Sequence, residues 1–94
     1  MVTTAHLFQN FLDYLSFQKS YSSHTVDAYL KDLEQFEVYQ IKEFDVTSFQ
    51  QTNTAIIRSW IVSLMEANMK ATTVNRKLST LKSFFKYLRM MGSV

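Results

Sequence analysis

Apolar residues recur every three or four positions along most of this chain, and four stretches carry the pattern. Leu7, Phe8, Phe11, Leu12 and Leu15 fall on one side of a helix predicted over residues 3–18, which the segment KSYSSHT then interrupts. Val26, Tyr29, Leu30, Leu33 and Phe36 mark a second helix over 23–40. Ser22 is its expected N-cap, Thr25 is placed to hydrogen-bond its first turn, and Asp27 should complement the positive end of its dipole. The segment IKEFDVTSFQQTN, residues 41–53, has no period and predicts a loop with one short turn pinned by Phe44 or Phe49. Ile57, Trp60, Ile61, Leu64 and Met65 define a third helix over 54–67, capped by Thr52 or Asn53 and ended by a left-handed Asn68. Val74, Leu78, Leu81, Phe85 and Leu88 then give the apolar stripe of a fourth helix over 72–91, which Gly92 can stop.

Composition agrees with an all-α reading. The 94 residues contain one glycine and no proline, so nothing breaks the helices from within. They suffice for one domain, and 47% hydrophobic content can fill one core. Cysteine is absent, which excludes disulfides, thiolate metal sites and cysteine nucleophiles, and fits a cytoplasmic chain. No basic segment precedes an apolar run at the N-terminus, and no window has the 18 or so apolar residues of a membrane span.

Candidate chemistry is sparse. His6 and His24 lack the spacing and carboxylate partners of a metal site, and no glycine-rich loop is present to cradle a nucleotide, so neither metal nor cofactor is expected. No serine or threonine has a base and an orienting acid nearby in sequence, and the five tyrosines read as core or boundary residues. No catalytic residue is assigned.

Charge changes the picture more than its net value of +2 suggests. All eight carboxylates lie within residues 1–69, whereas residues 70–94 carry Lys70, Arg76, Lys77, Lys82, Lys86 and Arg89 without one acid. Such an asymmetry attracts polyanions. On the fourth helix Asn75, Ser79, Lys82 and Lys86 recur at helical spacing opposite the apolar stripe, flanked by Arg76, Thr80 and Ser83. A plain solvated face usually alternates signs, yet Lys82 and Lys86 are like charges one turn apart. Arg, Lys, Asn and Ser are the side chains that bond phosphates and base edges, and an α-helix fits the major groove. The start of the second helix repeats the theme, with Ser20, Ser22, Ser23, His24 and Thr25 around free N–H groups and Lys31 farther along.

The stretches FLDYLSFQKSYSSHTVDAYLKDLEQF and IIRSWIVSLMEANMKATTVNRKLSTLKSFFKYL carry a resemblance. The first resembles the opening of tyrosine recombinases of the phage-integrase and Xer type, and the second is similar to the third and fourth helices of the same N-terminal region. The likeness spans about residues 5–91 and looks nearest to the Xer-like integrases of Bacteroidetes; Asn68 stands where glycine is common. The resemblance implies a four-helix orthogonal bundle, the SAM-like core-binding domain, closing over double-stranded DNA opposite a C-terminal catalytic domain. Its second and fourth helices would lie against the major groove near the cleavage site. Carried over by position, the DNA-binding set is Ser23, His24, Thr25 and Lys31 of the second helix, with Lys70, Thr72, Thr73, Asn75, Arg76, Ser79, Lys82 and Lys86 of the fourth and its approach. The family's catalytic residues belong to the other domain, so a chain stopping at Val94 is expected to be a non-catalytic, monomeric fragment of an enzyme that cleaves and rejoins DNA. Its partners would be that domain and other protomers on DNA.

Two further classes compete. A helical protein-interaction module would expose an apolar patch, for which Tyr14, Phe17 and Met69 are the candidates, and a stand-alone helix-turn-helix regulator would use NMKAT as its tight turn.

Overall fold

Side-chain caps start the second and third helices of this protein, whereas the fourth starts after Lys70 without one. The computed structural model describes residues 4–92, with side chains from His6 onward. It places α1 at Thr4–Phe17, α2 at Ser23–Phe44, a single 3-10 turn at Phe49–Gln51, α3 at Thr54–Glu66 and α4 at Ala71–Met90. Residue 3, where the first helix was expected to begin, lies outside the described residues. The Ser22 hydroxyl accepts the Thr25 N–H at 3.3 Å to open α2, and the Asn53 side chain accepts the Ile56 N–H at 3.0 Å to open α3. At the other ends Asp45, Asn68 and Gly92 adopt φ of 53°, 60° and 73°. Beyond α3 the Met69 N–H closes back on the Leu64 carbonyl.

Three expectations for α2 and α3 need correction. The second helix does not stop at residue 40 but continues to Phe44. The added turn is held by tertiary contacts invisible to a local period: Gln40 is buried and accepts a hydrogen bond from the Thr52 hydroxyl, and the Tyr39 hydroxyl bonds Ser59 of α3. Asp27 falls after the first turn of α2, too far along to complement the dipole strongly. Met65, expected on the buried face of α3, is 61% exposed, and Ile56 fills the core with Trp60 and Leu64 instead.

The helices pack as α1 on α2, α2 on α3 and α4, and α3 on α4. The aromatic centre is organised by Phe49 of the 3-10 turn, whose ring lies 5.1 Å from Phe84, 5.5 Å from Phe8 and 6.3 Å from Phe36, all between centroids. Phe44, the other residue expected to pin this turn, is exposed. Offset and edge-on arrangements of this kind add about 0.5–1.5 kcal/mol per pair beyond the area they bury.

The buried arc of α4 is also rotated from the expected stripe. Val74, Leu81 and Leu88 are buried as expected, but Phe84, Lys77 and Thr80 join them, while Leu78 and Phe85 lie half-buried at the edge. Two polar residues are thereby turned into the bundle, and both meet α2.

Candidate nucleic-acid interface

Asp32 of α2 is fully buried, and it receives both polar residues that α4 turns inward. Lys77 Nζ donates to its Oδ1 at 2.8 Å and Thr80 Oγ1 donates to its Oδ2 at 2.8 Å. Arg76 completes the set, with Nη2 donating to Oδ1 at 2.8 Å and Nε to Oδ2 at 3.3 Å. Lys77 Nζ also donates to Gln35 Oε1. Burial alone would raise the Asp32 pKa, but the hydrogen bonds from Arg76, Lys77 and Thr80 outweigh it and hold the carboxyl below its ordinary value. Among the described residues every buried side-chain N or O atom has a hydrogen-bond partner, so the charges are tolerated where an unpaired one would not be.

This network revises the charge reading of α4. Lys77 belongs to the packing between helices and contributes no surface charge, and Thr80, expected among the short donors of the outer face, is fully buried. Arg76 is not an unopposed cation, because a carboxylate from another helix reaches it. Its side chain nevertheless stays 46% exposed.

None of the twelve residues assigned to the interface is buried. Lys70, Thr72, Asn75, Ser79, Lys82 and Lys86 are exposed along α4 and its approach, and Thr73 is half-buried. On α2, Ser23, His24 and Lys31 are exposed, while Thr25 is half-buried with its hydroxyl 3.0 Å from that of Ser22. The Asp32 contacts bring the Lys31 turn of α2 against the Arg76 turn of α4. Lys82 borders a groove shared with Arg89 and with Thr52, Asn53 and Thr54 before and at the start of α3. Lys86 borders a second groove with Lys19 and Tyr21 of the α1–α2 connection.

Lys19 is the cation that periodicity missed, since it lies in a connection; its ammonium sits 5.9 Å from the centre of the Tyr14 ring. The pairing of Asp32 carries no signal of its own in the local pattern, because its partners Arg76 and Lys77 lie on another helix. Burial pushes the Tyr29 and Tyr87 phenols up from their ordinary values, the opposite of what activates a nucleophile. Among the described residues no group of three or more His, Asp or Glu could hold a metal ion, and no helix is long and apolar enough to cross a membrane.

Comparison with known proteins gives the family. The family model described as phage integrase, N-terminal SAM-like domain, matches residues 8–92. The chain is 35% identical over 88 residues to the tyrosine recombinase XerC of Listeria innocua, covering 94% of this chain and 29% of that protein. It is 38% identical over 94 residues to the XerC of Thermodesulfovibrio yellowstonii, covering 100% and 30% respectively. Against the XerC of Staphylococcus saprophyticus it is 39% identical over 80 residues, covering 84% and 26%. The chain therefore spans less than a third of the length of these relatives. No solved structure matches significantly. With four helices in the expected order and a family match running through all of them, this chain belongs to the phage-integrase N-terminal SAM-like domain family.

Proposed function

We propose that this domain binds double-stranded DNA as the N-terminal part of a site-specific tyrosine recombinase. The observation that carries the reading is the outer face of α4, where Thr72, Asn75, Ser79, Lys82 and Lys86 lie exposed on a helix without a single carboxylate. The lysines suit phosphates, and Asn75 and Ser79 are short enough to let the helix axis approach base edges. The exposed Ser23, His24 and Lys31 of α2 extend the surface beyond the Arg76 junction. Lys70, Thr73 and Thr25 lie at its margins.

In the full recombinase, which acts in the cytoplasm, this domain holds DNA opposite a C-terminal catalytic domain and beside other protomers. That second domain breaks and rejoins the strand through a 3′-phosphotyrosyl intermediate. The present residues position DNA and do no bond chemistry. The protein-interaction reading is weaker. Tyr14 packs against Tyr87 at 5.0 Å and Met69 packs against the core, so of the three candidate residues Phe17 alone stands out, at 81% exposure. The short connection between α3 and α4 would suit a helix-turn-helix pair, but the family match runs through all four helices.

The test is the salt dependence of duplex binding. Each phosphate neutralised contributes about −0.9 to the slope of log affinity against log salt. Lys82→Ala with Lys86→Ala should shrink that slope by up to about two units with the circular dichroism spectrum unchanged. An unchanged slope would place DNA elsewhere on the molecule.

A further inference from the structure

The guanidinium of Arg76 is held in an unusual way for a surface cation. Two of its N–H groups, on Nε and Nη2, are spent on the two oxygens of a fully buried carboxylate. A guanidinium has five, so three remain, two of them on Nη1, and the side chain is 46% exposed. The carboxylate is itself fixed from behind by Lys77 and Thr80. One anion thus faces two cations, and the cluster keeps a net charge of +1 at the seam where α2 and α4 meet.

We propose that Asp32 is a positioning residue for DNA: it locks α2 to α4 and aims the unused edge of Arg76 at a backbone phosphate lying across the two helices. The inference rests on the DNA-binding reading and adds to it a buried acid that strengthens binding to a polyanion. An untethered arginine loses rotamer freedom when it binds, whereas this one is already ordered, so less is lost at docking. A purely structural ion pair would behave differently. Removing its negative charge would leave the surface more positive and the affinity equal or higher.

The experiment measures binding of this chain to a fluorescent mixed-sequence duplex of about two helical turns by anisotropy. Asp32→Asn alone would strand the buried Lys77 ammonium, so the comparison is made in a Lys77→Met background, where the methylene volume is kept and that cation is gone. Lys77→Met, which itself removes one charge and one of the donors to Asp32, is the reference against which the double variant is read. Adding Asp32→Asn should weaken binding about tenfold despite the gain in positive charge, within the range seen for residues coupled in one ion-pair network. Arg76→Lys, which keeps both the charge and a partner for Asp32, should weaken it by about as much, because an ammonium cannot bond the carboxylate and a phosphate in the same fork geometry. A slowly exchanging Arg76 Nε–H resonance, present in Lys77→Met and lost on adding Asp32→Asn, reports the tether without DNA.

Equal or tighter binding by the Asp32→Asn, Lys77→Met protein, with Lys82→Ala and Lys86→Ala still weakening binding, overturns the positioning role and leaves the DNA reading intact. Parental binding and salt slope after the two lysine changes removes the α4 face as the docking surface, and this inference falls with it. Retained affinity in Arg76→Lys also overturns it.

Discussion

Asp32 shows how one residue can serve both folding and electrostatics. Its carboxyl is held below the ordinary value in the folded chain: burial opposes ionisation, and donors from Arg76, Lys77 and Thr80 more than offset it. A depressed folded-state pKa contributes stability that is fully present above the unfolded carboxylate value of about 3.9 and is lost as pH falls through the folded value. The urea midpoint should therefore drop as pH is lowered below about 4. In the Lys77→Met, Asp32→Asn protein that component of the decline should vanish, and an equally steep acid decline there would show that other carboxylates cause it. Asp32→Ala without a compensating change should cost about 3–5 kcal/mol, since it leaves Lys77 buried with only Gln35 as a side-chain acceptor.

At the level of the helices, capping residues set the ends and the exposed faces follow from them. Asn68, at φ 60°, lets α3 end and α4 begin after a short connection, which sets how the approach residue Lys70 leads into the polar face. Asn68→Ala should lower stability by about 1–2 kcal/mol, the cost of a left-handed Cβ, whereas Asn68→Gly should be close to neutral. Thermal melts of the two variants check this, and a loss in both would mean that the Asn68 side chain itself, rather than the backbone, matters. Removing the α2 cap by Ser22→Ala should cost about 1 kcal/mol, read by the same measurement, because the Thr25 N–H loses its acceptor. Substitutions at Thr72, Asn75, Ser79, Lys82 and Lys86 should have little effect on stability, since all five side chains are exposed.

Across the whole molecule a single aromatic cluster joins all four helices through the 3-10 turn. Phe49 touches rings from α1, α2 and α4, and Phe36 in turn lies 5.2 Å from Trp60 of α3. Phe49→Ala and Trp60→Ala should each cost roughly 3–5 kcal/mol as deletions of buried aromatic side chains. Either loss is a large part of the total stability expected for a domain of this size. Urea unfolding followed by circular dichroism gives the value, and less than about 1 kcal/mol at Phe49 would mean that the turn is not the keystone described here.

What could be read from residues in order, and what could not, follows from the range of each interaction. Helix number, the Ser22 and Asn53 starts, the Asn68 and Gly92 ends and the acid-free quarter are local properties. Capping and periodicity act over three or four residues, so adjacent side chains suffice to reveal them. The buried polar network left a trace that was easy to misread. Asp32 stands three residues after Tyr29 and four before Phe36, and Lys77 stands likewise between Val74 and Leu81, so both sit at core spacing. A charge at such a position demands a partner, but its identity depends on which helices become neighbours. Arg76 and Lys77 meet Asp32 across 44 and 45 residues of chain, a distance over which no periodic pattern carries information. The same holds for Phe49, whose segment has no period and whose ring is placed by the three helices it fills. Local polarity was enough to give α4 a face free of acids. Only packing decided that α2 would lend that helix a carboxylate, because burying an ion requires its counterion at contact distance.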